Sequence, residues 1–149
     1  MTGQGVRYAE LAAATNFSFL RGASHAADMV KAAILLGHTG IGIADRNSVA
    51  GVVRAHAALR DLREELPELA DFRLIVGARL AFVDGTPDLI AYPMTRHGWG
   101  RLTRLLTTGN LRAQKGDCIL HLADLEAHHE DLAIIAMPGA DAALLTHVP

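Results

Sequence analysis

Apolar positions along this chain follow two rhythms: short, mostly continuous runs, and runs spaced by three and four. The short runs are Tyr8–Ala14, Gly40–Ala44, Arg73–Phe82 and Leu132–Met137. Each is short and bounded by turn formers, which predicts a buried strand rather than a helix. The spaced runs predict helices. The first begins at Ser24, whose hydroxyl can cap it, and carries Asp28 where the helix dipole favours an anion. Its inward face is Met29, Val30, Ala33, Ile34 and Leu36, and Gly37 suits a left-handed stop. The second follows Asp45–Ser48, capped by Asn47 or Ser48, and runs to about Leu66 before Pro67. Val49, Val52, Val53, His56, Leu59, Leu62 and Leu66 recur at helical spacing, with Arg60, Arg63, Glu64 and Glu65 outward. Thr95 caps a third helix through about Thr108.

The intervening segments complete the pattern. Phe17, Phe19 and Leu20 read as an apolar plug after the first strand, and Gly22 permits a tight bend. Asp84-Gly85 is a hairpin signal leading to an antiparallel return strand at Asp88–Tyr92. Gly109–Cys118 reads as irregular, Leu120–Glu126 as one helical turn, Pro138-Gly139 as a turn, and Ala140–Leu145 as the start of a further helix. Met1–Val6, with Gly3 and Gly5, reads as a frayed start. Strands alternating with helices predict an α/β fold, a parallel sheet covered by helices. Sites in such folds lie at the carboxyl ends of strands, which points to the Ala14–Phe19 loop.

Composition narrows this only slightly. The 149 residues fit one domain with a sizeable core, and half of them are apolar. A formal net charge of −2 does not announce a nucleic-acid binder. One cysteine, Cys118, excludes an internal disulfide and fits a reducing cytoplasm. No apolar run reaches the roughly 18–20 residues of a membrane span, so the sequence reads as soluble, cytoplasmic and without a membrane partner.

Three longer segments carry more. Thr15–His25 (TNFSFLRGASH), Gly42–His56 (GIADRNSVAGVVRAH) and Leu74–Leu80 (LIVGARL) resemble the N-terminal PHP (polymerase and histidinol phosphatase) domain of bacterial C-family DNA polymerases. The error-prone, damage-tolerant branch is more similar than the replicative alpha subunit. Matching segments occur in order from about Tyr8 to Leu125. The resemblance implies a PHP-type distorted βα barrel, incomplete in this chain. Residues 1–149 would be a fragment of a longer polymerase whose palm, fingers and thumb cannot fit here.

Members of this family hold two or three metal ions with histidines and carboxylates, and the resemblance places those positions on this sequence. The His-x-His motif falls on Ala12 and Ala14, and a further ligand position before it on Glu10. The Asp-His motif falls on Asp45-Arg46, a glutamate position on Arg79, and a histidine position on Asp88. A methyl group has no lone pair, and a guanidinium cannot lose its proton to bind a metal. The expectation is a chain with no metal, no cofactor and no phosphoesterase activity. Arg46 and Arg79, which the resemblance puts at the ends of neighbouring strands, are expected to pair with Glu10, Asp45 or Asp88 in the old cleft.

Other candidate chemistry is weaker. His128-His129 looks like a metal tract, but neighbouring helical residues point about 100° apart, so it reads as solvated surface. His56 reads as a packed core residue, His25 as support for the first helix, and Cys118 as structural. Arg96, Arg101, Arg104, Arg112 and Lys115, with Trp99, form a carboxylate-free stretch. It could grip a nucleic-acid backbone or present a solvated face to a neighbouring polymerase domain.

These readings converge on a metal-free structural PHP domain. Its parent would carry out template-directed DNA synthesis in damage tolerance. Its partners would be the rest of the polymerase chain, DNA through the parent, and other damage-tolerance proteins. Two alternatives stand: a phosphoesterase or 3′–5′ exonuclease using Glu10, Asp45, Asp88 and His25, and a free-standing binding module. A barrel cut after Leu132–Met137 is also expected to expose an edge and to self-associate.

Overall fold

The computed structural model describes residues 7–137, which divide into two compact units between Val76 and Gly77. The expected turn at Pro138-Gly139, the helix at Ala140–Leu145 and the start at Met1–Val6 lie outside the described residues.

In the first unit, strand β1 (Ala9–Ala13) pairs in parallel with β2 (Gly40–Arg46), in the register Ala9 to Gly40 and Ala13 to Ile43. Helix α1 (Ala26–Leu35) links them, and α2 (Ala50–Glu65) follows, ending in a 3₁₀ turn at Pro67–Asp71. The core is Ala13, Ala26, Val30, Ala33, Ile41, Ile43, Ala55, Leu59 and Phe72. Small residues dominate the helix faces, so helices and strands approach closely.

Gly37 stops α1 as expected. Its φ is +74°, its amide donates to Ile34 O at 2.9 Å, and the His38 amide donates to Ala33 O at 3.0 Å. That pair of bonds satisfies two orphan carbonyls of the last turn. Ser24 is not the cap: α1 starts at Ala26, with His25 in the cap position and no side-chain cap bond. At α2 the Ser48 hydroxyl accepts from the Ala50 amide at 3.1 Å, but Val49 holds the cap position.

The inward face of α2 is rotated from the expected one. Gly51, Ala55 and Leu59 are buried, whereas His56 and Val53 are exposed, so His56 is not a core residue. The valines and histidine share a helical spacing with the true face, but the small residues allow α2 to seat against Thr15 and Asp45.

In the second unit, strands are antiparallel. From Gly77 onward β3 (Arg73–Leu80) pairs with β4 (Leu89–Pro93), Ala78 opposite Ala91, and β4 pairs with β5 (Leu132–Ala136), Ile90 opposite Ile135. The expectation of a parallel sheet holds for β1 with β2, and the antiparallel return strand expected after Asp84-Gly85 is β4; the departure is β5, which pairs antiparallel with β4. The Asp84-Gly85 turn joins β3 to β4, whereas β4 and β5 are joined by a long connection that holds α3 (Arg96–Arg112) and the short α4 (Leu122–Glu126). Helix α3 (Arg96–Arg112) starts at Thr95, whose hydroxyl oxygen accepts from the Gly98 amide at 3.1 Å. It buries Leu102, Leu105 and Leu106 and continues through Arg112, four residues past its expected end.

Candidate functional site: a saturated carboxylate at the strand ends

The carboxyl ends of β1 and β2 meet at Asp45, which is 1% exposed. A carboxylate in that setting requires hydrogen-bond donors, because desolvating an unpaired charge costs several kcal/mol or more. The loop after β1 supplies them. Asp45 Oδ1 accepts from the Thr15 amide and from the Ser18 hydroxyl, both at 2.7 Å, and Oδ2 accepts from the Thr15 hydroxyl at 2.8 Å.

Each hydroxyl is used twice. Ser18 Oγ accepts from the Arg46 amide at 3.0 Å, and Thr15 Oγ1 accepts from the Phe17 amide at 3.2 Å. Thr15 and Ser18 are themselves buried. The loop then folds on itself, Arg21 and Gly22 amides donating to Ser18 O at 2.9 and 3.0 Å. Gly51 in the first turn of α2 closes the roof. A Cβ there would lie 2.5 Å from Asp45 Oδ2 and 2.9 Å from Thr15 Oγ1, so only glycine fits.

This arrangement inverts the expected plug. With Thr15 and Ser18 turned inward, Phe17, Phe19 and Leu20 project outward, and Phe19 and Leu20 are 82% and 88% exposed. Leu20 adopts φ +60°, a left-handed conformation costing a leucine about 1–2 kcal/mol. Apolar character alone pointed the wrong way, because the buried Asp45 outranks two aromatic side chains in its demand for partners.

The positions aligned with metal ligands do not assemble into a ligand set. Ala12 is exposed and Ala14 half-buried, and neither offers a donor. Glu10 accepts from the Ala12 amide at 2.7 Å and the Tyr8 hydroxyl at 2.9 Å. Asp45 is saturated as described, and His25 is exposed at the start of α1. In the second unit Arg79 Nε lies 2.7 Å from Asp88 Oδ2, with the side chains 29% and 23% exposed. No group of three or more His, Cys, Asp or Glu among the described residues could hold a metal ion. The donor chemistry present does not fit the family's metals.

The expected arginine–carboxylate network is found only in part. Arg79 and Asp88 pair, but Arg46 is exposed and forms no ion pair among the described residues. Adjacent strand residues point to opposite faces, so an inward Asp45 turns the Arg46 side chain away.

The basic stretch is also divided. Arg112 grips Asp124 with two nitrogens, at 2.7 and 2.9 Å, and donates to Ile119 O at 3.1 Å. Arg101 donates to Ala127 O, with its Nε 3.7 Å from Glu130. Arg96, Arg104 and Lys115 are exposed. The Arg112 guanidinium, aided by the His121 amide, holds the Asp124 carboxyl well below the usual range. The Leu122 amide, with the Thr86 hydroxyl and amide, lowers Asp84 to about 2.

His128 and His129 place Nδ1 atoms 2.8 and 2.7 Å from the carbonyls of Asp124 and Glu126, at the end of α4. Burial pushes the Cys118 thiol up. Sequence reading missed Thr15, Ser18 and Gly51; the only signal was two hydroxyls three residues apart just after a strand.

Residues 10–149 match the PHP domain family. The chain is 55% identical over 132 residues to error-prone DNA polymerase 1 of Rhizobium meliloti, covering 89% of this chain and 11% of that protein. It is 58% identical over 134 residues to the error-prone DNA polymerase of Rhodopseudomonas palustris strain HaA2, covering 90% and 11%. Thus the chain spans about a tenth of the length of these relatives. A crystal structure assigned as a metal-dependent phosphoesterase from Bifidobacterium adolescentis superposes with a TM-score of 0.52 at 21% identity, covering 71% of this chain and 34% of that one. That likeness concerns the fold. No helix among the described residues is long and apolar enough to cross a membrane.

Proposed function

The chain belongs to the PHP domain family, and on that premise we propose that it is the PHP portion of an error-prone DNA polymerase that works without metal. Its role is structural: a scaffold within a longer polymerase whose remaining domains carry out DNA synthesis during damage tolerance. Residues 1–149 are then a fragment of that chain, in a cytoplasmic protein. The relatives' names, and the 11% of their length that this chain covers, support the parent assignment.

One observation carries the metal-free reading. Asp45, the carboxylate the family would offer to a metal, has its oxygens engaged by Thr15 and Ser18 inside the fold. Its would-be companions are Ala12, Ala14 and Arg46, none of which can donate an electron pair to a cation. A hydroxyl pair thus does structurally what a cation does in a working site: it compensates a carboxylate taken out of water.

Titration calorimetry with Mn²⁺ and with Zn²⁺ tests this reading. Neither ion should bind saturably, and the melting temperature should not move on adding either ion or a chelator. Stoichiometric binding with release of phosphate from a phosphodiester substrate would favour the phosphoesterase reading instead.

A further inference from the structure

We propose that the tip of the β1–α1 loop, with Arg21, Arg46 and Arg54, is a binding site for single-stranded DNA. The loop is built to display its aromatics. Thr15 and Ser18 are pinned to the buried Asp45, and the chain between them and Gly22 is crossed by three backbone hydrogen bonds. Phe17, Phe19 and Leu20 face solvent from this fixed base, and Leu20 is held in a strained backbone conformation to do so. A tip serving only as a connection would turn these side chains inward or replace them with polar ones.

Charge around the tip points to a polyanion. The Arg54 guanidinium sits 5.9 Å from the centre of the Phe17 ring. Arg46 follows directly on Asp45, with its amide on Ser18, and Arg21 closes the loop. All three arginines are exposed, and none pairs with a carboxylate among the described residues. Residues 11–27 and 46–60 contain no Asp or Glu, although the whole chain carries a net charge of −2; the nearest carboxylates lie just beyond, Glu10 and Asp28 lining a cavity with Arg21, and Asp28 and Asp61 one with Arg54. Asp45, which joins the two segments, is buried and saturated.

Exposed rings beside unpaired guanidinium groups suit a strand whose bases are free to stack and whose phosphates lie alongside. A duplex keeps its bases stacked on one another and offers such rings little. An apolar protein partner would cover the phenylalanines but leave three desolvated arginines uncompensated, so the observations favour the nucleic acid. Metal and polymerase activity do not enter this site, so it stands or falls apart from the scaffold reading.

The test uses the 149-residue protein and fluorescence anisotropy of a labelled oligothymidylate of about 20 nucleotides, a few binding-site lengths. The single strand should bind more tightly than a duplex of equal length, and more weakly as salt rises. Phe19→Ala should weaken binding at least roughly fivefold, the low end for loss of one stacked base. Arg46→Ala/Arg54→Ala should reduce the slope of log affinity against log salt by about 1.4, or about 0.7 for each lost phosphate contact. Circular dichroism should show both variants folded, since every substituted side chain is exposed. The proposal fails if no binding occurs near 50 mM salt, where phosphate contacts are strongest. It also fails if both variants bind normally while Arg96→Ala/Arg104→Ala abolishes binding, which would assign the contact to α3.

Discussion

The two units solve the same problem differently. In the first, Asp45 is taken fully out of water and compensated by neutral donors, two hydroxyls and an amide. In the second, Asp88 and Asp124 stay nearer the surface and are compensated by arginines, Arg79 and Arg112. The difference follows from geometry. A threonine or serine on a tight loop reaches a buried oxygen without bringing a second charge that must also be desolvated. A long guanidinium suits a half-exposed carboxylate, where its stem packs and its head remains partly hydrated. The comparison predicts that the first site is sensitive to shape and insensitive to salt, and the second the reverse.

Asp45→Ala breaks the comparison at its strongest point. It leaves the Thr15 amide and two buried hydroxyls without an acceptor, so denaturant melts should show a loss of about 3–5 kcal/mol, barely changed by added salt. A loss under about 1 kcal/mol would mean that water enters the site and the network is dispensable.

Acid sharpens the other side. Asp84 and Asp124 both have carboxyl groups lowered on folding, Asp84 to about 2 by the Leu122 amide and Asp124 further by Arg112. A depressed folded value means that the stabilisation is present above the ordinary carboxylate range and disappears as pH falls through the folded one. Trp99, the single tryptophan, lies in the second unit and reports on it. Its fluorescence midpoint in urea should therefore drop progressively between about pH 4 and pH 2. A midpoint constant over that window would show these two carboxylates contribute nothing.

Arg112→Ala removes one of these partners alone. With Asp124 mostly covered and Arg112 partly exposed, we expect a lower denaturant midpoint at neutral pH, and a smaller drop in high salt. Arg79→Ala should cost about 1 kcal/mol, because the carboxylate it holds, Asp88, is more exposed than Asp124. Arg46→Ala should change stability by less than about 0.5 kcal/mol, as befits an exposed side chain without an ion pair. A large loss there would restore the arginine network that the geometry excludes.

Much of this molecule was legible in its residue pattern. Apolar runs located the strands, and Gly37 and Thr95 marked where α1 stops and α3 starts. These are local properties: a left-handed stop or a cap belongs to one or two residues and does not depend on the rest of the chain. Three features depended on the tertiary structure. The direction of β5 followed from how the long connection through α3 and α4 returns it beside β4. The buried face of α2 followed from the close approach that Gly51 and Ala55 permit. The orientation of the Thr15–Leu20 loop followed from Asp45, thirty residues away from Thr15 in the chain. Hydrophobicity alone turned Phe17, Phe19 and Leu20 inward, but a buried carboxylate needs donors more than two phenylalanines need cover, and only the folded chain brings them into competition.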